Sequence, residues 1–224
     1  MKKLTSITCL FLLFTTLVIA QSVDERKTRF ALLGGVNFQN ITGKDFFGDK
    51  VSSTGVFGFH AGLNAQILVA PQFYFQPGLL FSTKGAEISD TDVTERIRLS
   101  YLELPLNFVY KSQLGSGFIM IGFGPYVGYG ISGNANYKST LGSVDSDVVF
   151  TNVVELNDPI TSTYFKALDI GGNLFFGYEM ASGIFLQLNT QFGMININPE
   201  DNRFPGGKAT LKNTGFGLSL GYRF

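Results

Sequence analysis

The chain has 224 residues, as many acidic as basic ones, and a charged fraction of only 15 %, where a soluble domain carries roughly 25 %. The neutral balance excludes an electrostatic footprint for nucleic acid. The 27 glycines and 23 phenylalanines call for an apolar solvent or a very large core.

Residues 1–20 read as a cleaved secretory signal. Lys2 and Lys3 form a positive start, Ile7 to Ile19 is an apolar run, and Val18, Ile19 and Ala20 precede the expected cut. Residues 21–28 are then a short periplasmic leader and 29–224 the folded domain. Cys9, the one cysteine, lies in the signal, so no disulfide, thiol nucleophile or thiolate metal site is expected in the mature chain. Loss of Lys2 and Lys3 leaves that chain about two charges negative.

Period-two alternation then predicts eight strands. The first runs 29–39, with Phe30, Leu32, Val36 and Phe38 on one face, and a loop follows to Thr54. The second runs 55–69, with Phe57, Phe59 and Leu63 opposite Gly58, His60 and Asn64. A tight turn at Ala70, Pro71 and Gln72 leads to the third, 73–83, and a polar loop is expected from Lys84 to Ile97. The fourth, 99–110, sets Leu102, Leu104, Leu106 and Phe108 against Glu103, Pro105 and Asn107; a turn is expected over Lys111–Gly117. The fifth, 119–131, sets Ile121, Phe123, Val127 and Tyr129 against Gly122, Gly124, Tyr126 and Gly128. The longest loop is expected over 132–163. The sixth and seventh strands, 167–180 and 184–195, are joined by a short turn, and a Pro- and Gly-containing loop precedes the last. The closing strand carries Phe216, Leu218, Leu220, Tyr222 and Phe224 on one face and Gly215, Gly217, Ser219, Gly221 and Arg223 on the other.

Connections alternate long and short, as in an outer-membrane barrel with short periplasmic turns. Within the predicted strands the charged residues are Arg29, Glu103, Asp169, Glu179 and Arg223, all opposite the large apolar set. On a lipid face a basic residue near the midplane costs roughly 2–4 kcal/mol; in a lumen, charges can pair. The fold expected is all-β: an eight-stranded antiparallel, up-and-down transmembrane β-barrel, closed because lipid satisfies no backbone group. Both termini are then periplasmic. The competing architecture is a soluble barrel of the lipocalin kind with its greasy face inward, but its outer face would carry many Lys and Glu. Pro77, Pro105 and Pro125 fall inside predicted strands, so bulges or shifted spans are expected there. Arg96 and Arg98 share the lipid parity of the fourth strand. They must lie above the membrane, or a bulge near Ser100 resets the register.

Four stretches carry a resemblance across the mature chain: Phe75 to Gly85 (FQPGLLFSTKG), Tyr101 to Leu106 (YLELPL), Gly124 to Tyr129 (GPYVGY) and Gly221 to Phe224 (GYRF). Together they resemble the small outer-membrane β-barrel proteins of Bacteroidetes, the PorT-like family. The resemblance implies an eight-stranded outer-membrane barrel and carries over no catalytic residue. It does not fix a task, since small barrels share a scaffold rather than a job; an accessory role in type IX-like secretion is one version.

The five charges are expected to form a structural lumen network that plugs a barrel whose interior is just wide enough for side chains. Phe216, Leu218, Leu220, Tyr222 and Phe224 look like the C-terminal signal recognised by the barrel-assembly machinery. Tyr110, Tyr178, Tyr222 and Phe224 read as an aromatic girdle. His60, with Ser82 and Ser219 on its face parity, is the candidate base of an enzyme acting on lipid or peptide; the plainer expectation is a lumen histidine satisfied by Asn64 or Gln66. A narrow solute channel is a third reading. The acidic stretch from Asp90 to Glu95, with Asp145, Asp147, Glu155 and Asp158, matches no calcium-loop spacing and reads as solvated outer loop. No cofactor, metal or nucleic acid is expected. The expected partners are outer-membrane lipid, the assembly machinery and a protein at the outer loops.

Overall fold

The computed structural model describes residues 28–89, 93–140 and 142–224. The predicted signal, and most of the leader, lie outside the described residues. The strands are β1 (Arg29–Lys44), β2 (Ser53–Ala70), β3 (Phe73–Ser89), β4 (Val93–Leu114), β5 (Gly117–Ser139), β6 (Gly142–Phe150), β7 (Val153–Val154), β8 (Thr163–Phe165), β9 (Leu168–Glu179), β10 (Ile184–Gly193), β11 (Glu200–Asp201) and β12 (Thr210–Arg223).

Eight of them close on themselves. The order β4-β3-β2-β1-β12-β10-β9-β5 is completed by pairing of β5 with β4, and every pair is antiparallel. The register fixes the shape. A path from Tyr178 through Leu186, Leu220, Gly34, Ala61, Phe81, Leu102 and Tyr129 returns to β9 at Leu168, ten residues from its start. Ten residues are about 33 Å of strand, against a girth of about 38 Å for eight strands, so the strands tilt by about 40°.

Side-chain parity then sorts the wall. Phe30, Leu32, Val36, Phe57, Phe59, Phe108, Phe123, Leu188, Phe216 and Leu220 point outward and are exposed, while Asn37, His60, Gln66, Gln76, Ser82, Glu103, Asp169, Glu179, Ser219 and Arg223 are buried inside. An apolar exterior around a polar interior inverts the order found in water.

Glycine is what makes the narrow interior fillable. A Cβ on Gly122 would stand 2.2 Å from the Phe175 ring, and one on Gly221 would stand 2.2 Å from that of Phe185. These rings lie over bare backbone and build an inner apolar layer with Ala31, Val109 and Met120. Gly122→Val should therefore destabilise the barrel by about 1–3 kcal/mol through overpacking. Urea titration followed by heat-modifiable gel mobility measures this; an unchanged midpoint would show that the ring has room to move.

Several expected boundaries are corrected. The loop expected over 84–97 is mostly strand: β3 runs to Ser89 and β4 starts at Val93. Hydrogen bonding between two polar strands needs no greasy face, so alternation fades there while pairing continues. The turn expected over 111–117 shrinks to two residues after Leu114. The loop expected over 132–163 contains the end of β5, all of β6 and β7, and the start of β8. No bulge falls at the prolines. Pro77 faces Leu106, Pro105 faces Tyr126 and Pro125 faces Gly172, each in unbroken register. The ladder is open for two residues beside them, at 65–66 opposite 76–77, at 78–79 opposite 104–105 and at 106–107 opposite 124–125, and resumes in the same register on the far side. Shifts occur between Gly55 and His60, between Leu68 and Ala70, and opposite Ser100. The last lies on β5, where Ser100 faces Ser132 but Tyr101 faces Gly130. Parity along β4 is therefore kept, and Arg96 and Arg98 remain on the outward face of the extension beyond the barrel.

Candidate functional site

The interior charges form two separate clusters. At the end carrying the chain terminus, Glu179 on β9 is the centre. It accepts from Arg223 Nε at 2.9 Å, Lys111 Nζ at 2.7 Å and Arg29 Nη1 at 3.4 Å. Arg223 also donates to Asn64 Oδ1 at 3.0 Å and Gln76 Oε1 at 3.2 Å. Its guanidinium lies 5.3 Å from the Phe185 ring centre. The Arg29 side chain is 44 % exposed, whereas Glu179 and Arg223 are buried.

Toward the other end, Lys84 on β3 is the centre. Its Nζ stands 2.6 Å from Glu103 Oε1 and 3.0 Å from Asp169 Oδ2. Tyr126 and Asn213 donate to Asp169 Oδ2 at 3.2 and 2.9 Å, and Gln191 donates to Glu103 Oε2 at 2.9 Å. The ammonium lies 4.4 Å from the ring centre of Tyr126. Buried charges are tolerable only when paired and hydrogen-bonded in this way.

Sequence reasoning thus puts five charges in one network and misses two of the buried cations, Lys84 and Lys111. The sequence reading puts these two in a loop and a turn, whereas they lie on β3 and β4. A period-two extension of the third and fourth strands by a few residues would have put both on the inner parity.

Between the clusters lies a cavity of about 70 Å³, lined by His60, Ser219, Asn37, Asn107 and Asn173 among others. That is room for a few waters, far below the roughly 300–1,000 Å³ of a ligand pocket. The acceptors Asn37 Oδ1, Asn107 Oδ1 and Asn173 Oδ1 have no protein partner, a demand that a few waters match. His60 is not satisfied by Asn64 or Gln66. Its Nε2 lies 2.7 Å from Ser219 Oγ, and Asn189 Nδ2 donates to the same Oγ at 2.7 Å. Ser82 bonds Asn37 instead, at 3.3 Å. Because β1 separates β2 from β12 by one strand, the inward residues of β2 and β12 lean over Gly35 and meet; parity alone does not show this.

Beyond the Lys84 cluster the strands continue and fold over the barrel mouth. Ile41, Leu99, Tyr101, Ala135, Phe165 and Ile197 form a buried apolar core there, packed by Ile88, Tyr137, Val148 and Phe150. The β5–β9 and β10–β12 connections are clasped together. β7 pairs with β11, and Arg203 binds Asp201 at 2.7 Å while donating to the Pro159 carbonyl at 3.0 Å. Arg203 holds the Asp201 carboxyl below the usual carboxylate range. A depressed pKa stabilises above the unfolded value and is lost as pH falls through the folded one. The clasp should accordingly loosen at pH values below that of a free carboxylate, about 3.9. Amide exchange over 153–165 should then rise, and D201N should show the fast exchange already at pH 7. Equal protection of wild type at pH 2 and pH 7 would refute this.

Among the described residues, no group of three or more His, Cys, Asp or Glu gathers as a metal site. The part of the acidic stretch at 90–92 lies outside the described residues. Tyr110, Tyr222 and Phe224 are exposed on the outer face near the short turns.

A closed antiparallel ring with an apolar exterior, ionic interior and folded mouth agrees with one further finding. The family model described as "Outer membrane protein beta-barrel domain" matches residues 19–198. The chain belongs to this family. It is an integral outer-membrane protein of all-β barrel type. No curated protein matches it. Among solved structures it is similar to Ail, the attachment invasion locus protein of Yersinia pestis. That chain is 10 % identical with a TM-score of 0.40, over 88 % of this chain and 99 % of Ail. A second Ail structure, in complex with the heparin analogue sucrose octasulfate, matches at 11 % identity, the same TM-score and the same coverage. Values this low add nothing to what the family match establishes.

Proposed function

We propose that this outer-membrane barrel is a plugged, non-enzymatic scaffold whose folded mouth is its working surface. Both termini lie in the periplasm and the β3–β6 extension stands outside, where it docks a protein partner. The observation that carries this reading is the double closure of the lumen by Glu179 with its three cations and by Lys84 with its two carboxylates, beneath an apolar cap. A wall sealed at two levels has no use as a passage, whereas an extension with its own core is built to present a rigid surface. The PorT-like resemblance adds a narrower version, in which the partner belongs to type IX-like secretion. The C-terminal row Phe216, Leu218, Leu220, Tyr222 and Phe224 is the segment offered to the assembly machinery.

Three measurements test this. Purified protein in planar bilayers should give flat conductance traces; discrete openings would favour the narrow channel. Pull-down with a barrel lacking 142–150 should lose partners that the full chain retains, and retention of all of them would sink the docking surface. Deletion of the protein should impair cargo secretion if the narrower version holds, and normal secretion would remove that version.

A second reading rests on the His60–Ser219 contact, which has the geometry of a base beside a nucleophile. The cavity around it has no space for an ester or peptide substrate. Ser219 should therefore resist a fluorophosphonate probe, and labelling abolished by both S219A and H60A would establish an enzyme.

A further inference from the structure

We propose that the outer wall where β1 meets β12 is a binding site for the phosphate groups of an outer-leaflet glycolipid. The site is four lysines brought together by register. On β1 the outward residues above Phe38 are Asn40, Thr42 and Lys44; on β12 those above Phe216 are Thr214, Lys212 and Thr210. Thr42 pairs with Lys212 and Lys44 with Thr210, so Lys44 and Lys212 are diagonal neighbours on one face. Lys50 stands directly opposite Lys44 in an isolated bridge. Lys208 donates its backbone N–H to the Phe46 carbonyl at 3.0 Å, and its side chain packs over Gly48, 3.3 Å from where a Cβ would stand.

All four are exposed, and among the described residues none of them makes an ion pair. Two carboxylates adjoin the lysines in sequence: Asp45, beside Lys44, accepts from the amides of Phe47 and Asp49, and Asp49, beside Lys50, is exposed; among the described residues neither makes an ion pair with a lysine of the cluster. Like charges directly opposite on a sheet are destabilising. A Lys44–Lys50 pair next to two further lysines therefore concentrates positive charge that an anion from outside the chain would relieve.

The position selects the anion. Immediately below, Phe38 stacks with Phe57 and Phe216, at ring-centre distances of 5.1 and 5.5 Å, and Phe57 and Phe216 are fully on the outer wall. On β1, β2 and β12 these rings are the last large apolar residues of the outward face before the lysines. Lys212 stands four residues above Phe216, which on a strand tilted by about 40° is a height of about 10 Å. Long lysine side chains reach down from there to the headgroup level. A phosphate carried on acyl chains satisfies both halves of the site, with the phosphate on the lysines and the chains on the phenylalanines. A soluble phosphate satisfies one.

The proposal rests on the outward orientation stated above. Full-length mature protein extracted from the outer membrane should be mixed in micelles with diphosphoryl lipid A or phosphatidylethanolamine and examined by native mass spectrometry. Wild type should retain lipid A at least tenfold better than phosphatidylethanolamine. K44Q/K50Q/K208Q/K212Q should lose at least tenfold of that retention, while R98Q/K138Q, which removes exposed cations elsewhere on the extension, should keep it. Heat-modifiable mobility confirms that each variant is folded. Equal retention of the two lipids, an equal loss in R98Q/K138Q, or full competition by glucosamine phosphate would each overturn the proposal. Labelling of Lys50 in intact cells by an impermeant amine reagent tests the orientation separately, so its failure is distinguishable from failure of lipid binding.

Discussion

Lys84→Met should be among the most destabilising single changes in the protein, lowering stability by about 3–5 kcal/mol. Methionine nearly preserves the volume, so the loss is electrostatic. Glu103 and Asp169, both essentially without solvent contact, would face each other with no cation between them. The remaining donors, Gln191, Tyr126 and Asn213, are neutral and already engaged. The triple variant K84M/E103Q/D169N removes the charges together and should recover most of the loss, because a buried pair replaced as a unit is often nearly neutral. Urea unfolding followed by gel mobility reads both. If K84M unfolds at the wild-type urea concentration, the cluster is more hydrated than its burial implies. If the triple variant is no better than K84M, the loss comes from packing around Tyr101 and Tyr126 rather than from charge.

Glu179→Gln should cause a loss of similar size, about 3–5 kcal/mol, for the opposite reason. It would leave Arg29, Lys111 and Arg223 converging without an anion. The asymmetry inside the cluster sharpens the test. Arg29 is nearly half exposed and its contact is long at 3.4 Å, so R29Q should cost at most about 1 kcal/mol. Equal costs for R29Q and E179Q would mean that solvent, not Glu179, compensates these cations. Arg223 is the penultimate residue, so the cluster also ties the closing strand to β9. E179Q should slow assembly of the heat-resistant form after refolding into detergent as well as weaken it.

Glu179, Arg223 and Asp169 were placed inside from parity alone, since each alternates with large apolar neighbours. Lys84 and Lys111 were not, because the apolar signal ends before they do. At Lys84 the outward residues turn polar as the strand leaves the apolar band, and alternation between two polar faces carries no amplitude. The same physics hid β6 and the strand ends of β3, β4 and β5 inside expected loops. Proline misled in the other direction. A missing N–H opens the ladder for a residue or two, but the register resumes unchanged on the far side, so no bulge is needed.

The class of fold, the eight wall strands and the lipid-facing side of each are legible in consecutive residues. That information is local, because a side-chain period of two is written into consecutive residues and a charge on the wrong parity is expensive. Which inward residues meet, that the charges divide into two clusters, that His60 finds Ser219, and that Lys44, Lys50, Lys208 and Lys212 share one sector of the wall follow from the folded ring alone. These depend on the ten-residue stagger around the ring and on how the connections fold over its mouth. Register between strands more than a hundred residues apart is a property of closure, and no window of sequence contains it.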